Sequence, residues 1–165
     1  LGNKMKNFKP EKVIDHRKDE WLKLGGKLVT RIVLDADKGI SQDPNGKKFP
    51  PYKESYAIKK KAGKATPKGV SSSRQINPPN LRASGKMLGS ISAKRPTKDS
   101  VEIHYREGEK VQGNANPPAR FKKKKRNIYG LNDNNWEFAK DYINGIIDKK
   151  ITKFNRKKVI LEVKF

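Results

Sequence analysis

Histidine is the side chain best suited to moving protons near neutral pH, and the chain holds two, His16 and His104. They lie far apart and share no motif, so both read as ordinary surface or sheet-edge residues. A two-metal nuclease needs converging carboxylates. Asp35 and Asp37 are close in sequence but fall in a stretch with helical periodicity, where residues two apart do not face each other. There is no cysteine, which excludes disulfides and thiolate metal sites. Ser84 and Ser90 have no partner base for a nucleophilic triad. Gly63-Lys64 and Gly85-Lys86 lack the upstream glycine and the following Ser or Thr of a phosphate-binding loop, and read as turn residues. These patterns predict no catalytic residues, no metal and no cofactor.

Cations are what the sequence offers instead. Lys122, Lys123, Lys124, Lys125 and Arg126 form an unbroken basic run, with Phe121, Tyr129 and Trp136 close by. Basic side chains interleaved with aromatics can track a phosphate backbone and stack on bases. Lys59, Lys60 and Lys61 make a shorter run with the same potential. Either run also fits a solvated charged surface, or a contact with an acidic protein partner.

These residues need a frame. Pro10 to about residue 36 has the spacing of a long helix: Trp21, Leu24, Leu28 and Ile32 recur at threes and fours. Gly25-Gly26 interrupts it, and such a pair marks a bend or a close approach by a neighbouring backbone. Residues 41–80 form an extended region opened by the Asp43-Pro44-Asn45-Gly46 turn, with a short basic helix near Ser55 to Lys61. Residues 81–105 read as a short helical turn followed by a hairpin, with Ile91 and Ala93 alternating on one strand and Val101, Ile103 and Tyr105 on the other. A basic loop spans 106–132. A second long helix covers 133–154, capped by Asp133 and faced by Trp136, Ala139, Ile143, Ile146 or Ile147, and Ile151. Alternation from Val159 to Phe165 predicts a C-terminal strand at 159–165. The expected architecture is a single α+β domain: a small antiparallel sheet with the N-terminal and C-terminal helices packed on it, and long basic loops.

Composition sets the wider limits. Forty Lys and Arg face seventeen Asp and Glu in 165 residues, a net charge of +23. A compact monomer so charged repels itself, which favours an anionic neighbour, either nucleic acid or acidic protein. Only 33% of residues are hydrophobic, so the core is modest. No apolar run approaches the roughly 20 residues that span a bilayer, and lysines punctuate the start where a secretory signal would be apolar. No membrane contact is expected.

Three segments carry a resemblance: DPNGKKFPPYKESYAIKK, NLRASGKMLGSI and PPARFKKKKRNIYGLNDNNWEFAKDYI. In this order they resemble the virion-morphogenesis and tail-completion (neck, head-tail joining) proteins of tailed bacteriophages. The first matches a D-x-x-G-x-x-F/W-x-P turn through Asp43, Gly46, Phe49 and Pro51, with Ser55 after it. The second matches through Leu81, Ser84, Gly85, Met87, Leu88, Ser90 and Ile91. The third matches in part, through Ala119, Arg120 and Phe121 and then Gly130-Leu131, with the basic run and Asn127-Ile128-Tyr129 between. The resemblance implies a structural virion protein rather than an enzyme. It implies a homo-oligomeric ring, with six copies as the family's guide, that serves as a neck connector or tail terminator. The implied partners are portal, adaptor or tail-tube proteins and packaged DNA in the lumen, and the location is the neck or tail of the virion, assembled in host cytoplasm. The charge on its own equally suits a small basic nucleic-acid-binding protein.

Overall fold

The computed structural model describes residues 18–71, 73–82, 84–97, 100–106, 112, 114 and 125–162. In chain order the elements are helix α1 (Lys18–Asp37), helix α2 (Glu54–Lys61), a single turn α3 (Lys86–Gly89), strands β1 (Ile91–Lys94) and β2 (Glu102–Tyr105), and helix α4 (Asp133–Glu162). The α+β class expected from the sequence holds.

Helix α1 is the centre of the molecule. Its stripe of Leu24, Leu28, Ile32 and Ala36 is buried, as the helical spacing predicts. The hairpin packs across one side of it and α4 across another. The strands are antiparallel, with Ile91 opposite Tyr105 and Ala93 opposite Ile103. That register puts the apolar alternation on the face turned to α1. Gly25 is where the two surfaces meet: a Cβ there would lie 2.7 Å from the Ala93 Cβ and 2.8 Å from a Val101 methyl. The glycine pair therefore marks a close approach, and the helix runs through it unbroken.

The core has two lobes along α1. Ile32, Ala36, Phe49, Leu88, Ile91 and Ile128 form one, and Leu24, Leu28 and Ala139 the other. Ile103 and Leu131 touch both. Helix α4 runs antiparallel to α1, with Asn135 beside Arg31 at one end and Tyr142 beside Glu20 at the other.

Three expectations are corrected. The expected C-terminal strand is helix as far as Glu162, because α4 continues through Val159 and Leu161; residues 163–165 lie outside the described set. Trp136 and Ile151 do not belong to the buried face of α4; both are more than two-fifths exposed. The cap of α4 is Asn132, whose side-chain oxygen accepts from the Asn135 amide at 3.0 Å, while the Asp133 amide donates to the Pro44 carbonyl at 2.9 Å. The expected start of α1 at residue 10 lies outside the described residues.

Candidate functional site

The conserved-looking turn at Asp43 is built by convergence of two distant segments. Gly46 closes it by donating to the Asp43 carbonyl at 2.8 Å. Asp43 Oδ2 accepts from the Ser41 hydroxyl at 2.7 Å, and Oδ1 accepts from the Asn127 amide at 3.0 Å and lies 3.3 Å from Lys125 Nζ. Burial alone would raise the Asp43 pKa, but the hydrogen bonds from Ser41, Asn127 and Lys125 prevail and hold it below the usual carboxylate range. Lys125, one of the five cations of the basic run, is thus engaged with this chain's own carboxylate.

Beneath the turn lies a polar knot. Asp35 Oδ2 accepts from the side-chain amides of Gln42 at 2.9 Å, Asn132 at 3.1 Å and Asn135 at 2.9 Å. Gln42 Oε1 accepts from the Asn132 backbone amide at 3.2 Å and from Asn135 Nδ2 at 2.9 Å. Asn132 Nδ2 also reaches the Ser41 carbonyl, and Asn135 Oδ1 accepts from Arg31 Nε at 2.7 Å. Gln42, Asn132 and Asn135 are buried. Each group in this network is satisfied by another member, which fastens α1, the 41–48 loop and the start of α4 into one unit. A carboxylate already accepting three amides has little capacity left as a general base.

The second cationic run gives a clear correction. Lys60 is fully buried, at 0% exposure, on the inner face of α2. Its ammonium donates to the Ser73 carbonyl at 3.0 Å and to the Arg82 carbonyl, and lies 5.6 Å from the centre of the Tyr52 ring. Burial pushes its pKa below the ordinary lysine value. Lys60 therefore cannot be a DNA contact; it ties the 62–82 loop to α2. Gln75 adds a bond to the Asp37 carbonyl at 2.9 Å, and Arg82 pairs with the Asp37 carboxylate.

Arg126 is corrected in the same way. Its Nη2 donates to the carbonyls of Pro50 and Pro51 at 2.9 and 3.0 Å, and its guanidinium sits 4.8 Å from the Tyr52 ring centre. Tyr52 is thus in cation–π reach of both Arg126 and Lys60. Lys59 and Lys61 are exposed on α2 and stay available to a partner. Lys122, Lys123, Lys124, Ala119, Arg120 and Phe121 lie outside the described residues.

The remaining motif residues serve the scaffold. Phe49, Leu88 and Ile91 are core, and Leu81 and Met87 pack against it. Gly85 takes φ +80° to start α3, a conformation that L side chains rarely adopt. Ser84 is exposed, and the Ser90 hydroxyl donates to the Met87 carbonyl at 2.8 Å. Pro51 contributes its carbonyl to Arg126. His104 faces Ser92 across the hairpin, 3.6 Å from Glu102. Among the described residues no group of three or more His, Cys, Asp or Glu could hold a metal ion, and no helix is long and apolar enough to cross a membrane.

The polar knot was not foreseen from the sequence. A signal existed, since Asn127, Asn132, Asn134 and Asn135 crowd one short stretch, but nothing in that spacing names Asp35 and Gln42 as their partners. Compared with known proteins, this chain matches no family model, no curated protein and no solved structure.

Proposed function

We propose that this chain is a non-enzymatic structural subunit of a tailed-bacteriophage neck or tail end, assembling as a ring that joins the DNA-filled head to the tail. The observation that carries this reading is the ordered set of three motif segments, Asp43 to Lys60, Asn80 to Ile91 and Pro117 to Ile143. Its support from the fold is that the described motif residues act as frame. Phe49, Leu88 and Ile91 share one core, and Asp43 is closed off by Ser41, Asn127 and Lys125. Such residues suit a subunit that presents surfaces, since their chemistry is spent on holding the loops in place. The exposed Lys59 and Lys61, together with Lys122, Lys123 and Lys124, are the cations proposed to meet packaged DNA or an acidic neighbouring ring.

The +23 charge also favours a second reading, a small basic nucleic-acid-binding protein. One experiment separates them. Gradient-purified particles of the phage that encodes the chain are analysed by quantitative mass spectrometry, beside particles made without its gene. The expected result is a fixed copy number in intact virions, and unjoined heads and tails when the gene is removed. Absence from virions, with tight DNA binding whose logarithm falls steeply with the logarithm of salt concentration, favours the second reading and overturns the first.

A further inference from the structure

We infer that the outer face of α1 is a contact surface for a second copy of this chain. The inference deepens the ring reading by naming the surface, and takes from that reading only the expectation of self-association.

Leu22, Gly26, Thr30 and Leu34 are spaced by four, so they form one continuous ridge on the helix. Leu22 and Leu34 are 44% and 49% exposed. The Thr30 hydroxyl donates back to the Gly26 carbonyl at 3.1 Å, which turns its polar atom inward to the helix backbone. Half-buried Val29 and Val33 widen the ridge on the hairpin side.

The two central glycines differ in what explains them. Gly25 is required inside the molecule, where the hairpin leaves no room for a Cβ. At Gly26 a Cβ would meet nothing within 4 Å among the described residues. A glycine in an exposed helix interior costs about 1 kcal/mol relative to alanine, and no contact inside this chain accounts for it. A notch between Leu22 and Thr30 that admits a neighbour's side chain or backbone does.

Charge identifies the occupant. The ridge carries no ionised group, in a chain where 35% of residues are charged and cations dominate. The nearest lysines turn aside: Lys23 lies 3.3 Å from Glu20, and Lys27 leans over the Tyr142 ring of α4. An acidic protein or a nucleic acid would gain nothing by choosing the one face without cations. A second copy, equally positive, meets least repulsion there.

The test is sedimentation of the purified full chain over a range of concentrations and salt. The wild type is expected to self-associate, and to do so more tightly as salt is raised, because screening removes repulsion from an apolar contact. L22E/L34E is expected to weaken association by about tenfold or more with an unchanged circular-dichroism spectrum. G26A is expected to raise the thermal stability of the dilute monomer yet weaken association, since a methyl fills the notch. Unchanged association in either variant overturns the surface, as does association that weakens with salt. Virion content separates the two proposals. A chain present in particles whose L22E/L34E variant assembles normally leaves the ring reading standing and this surface refuted. A chain absent from particles that still self-associates through the ridge does the reverse.

Discussion

At the scale of single residues, the position of a cation decides its role more than its charge does. Lys59, Lys60 and Lys61 are equivalent in sequence, yet only Lys60 is sealed inside, with two carbonyl oxygens to satisfy its ammonium. K60A removes both bonds, leaves the carbonyls of Ser73 and Arg82 unpaired and opens a void, so it is expected to cost about 2–4 kcal/mol. K59A and K61A are expected to stay within about 0.5 kcal/mol. Urea denaturation of the three variants checks this, and equal effects would refute the assignment of Lys60 to the frame. Tyrosines provide the pH signature. Burial first, then the neighbouring Tyr56, pushes Tyr52 up to about 12, and burial first pushes Tyr105 up to about 12. Both folded values exceed the ordinary 10.0, so the unfolded chain releases these protons first as pH rises. Their stabilising contribution is complete below pH 10 and is lost between about 10 and about 12. Y105F is expected to reduce that alkaline loss. At neutral pH it is expected to cost about 1 kcal/mol through the missing bond from the Tyr105 hydroxyl to the Ile128 carbonyl. Denaturation midpoints of both proteins from pH 8 to 12 test the pair of effects together.

At the scale of elements, what was legible in the sequence follows from periodicity, and what was not follows from long-range partnership. The α1 stripe and the alternation in β1 and β2 report burial directly, because one face of each element must be apolar. The same logic failed at the C-terminus. Val159, Leu161 and Val163 alternate as a strand would, but they continue a helix already propagating from Asp133, and extending a helix costs far less than nucleating a new element. Trp136 failed for a different reason. Its spacing from Ala139 suits a buried stripe, yet the buried positions in the first turn of α4 are taken by Asn132 and Asn135, which are drawn inward by Asp35 and Gln42. Polar residues therefore set the rotation of α4 about its axis at this end, and a hydrophobic pattern cannot report that. The basic runs were legible as cations but not as partners. Whether a lysine meets DNA or a carbonyl depends on residues dozens of positions away, as Lys60 and Arg82 illustrate.

At the scale of the whole molecule, the excess of positive charge is itself a force on the fold. If every one of the seventeen acidic residues held a cation, twenty-three would still lack one. Several acids are already committed to structural bonds: Asp35 to three amides, Asp37 to Arg82, Asp43 to Lys125. The surplus cations can therefore relax only by spreading apart or by gathering counterions. Unfolding allows the first, so repulsion favours the unfolded chain whenever screening is weak. Raising salt from about 0.01 M to about 0.15 M shortens the screening length from about 30 Å to about 8 Å, which is less than the distance between most surface charges on a domain of this size. The melting temperature of the chain at pH 7 is accordingly expected to climb by several degrees over that range. A polyanion such as heparin at low salt is expected to raise it further by binding the folded form. Calorimetry across a sodium chloride series, with and without heparin, measures both. A melting temperature indifferent to salt would mean that the cations are already neutralised within the chain. The requirement for an anionic neighbour, on which both functional readings draw, would then disappear.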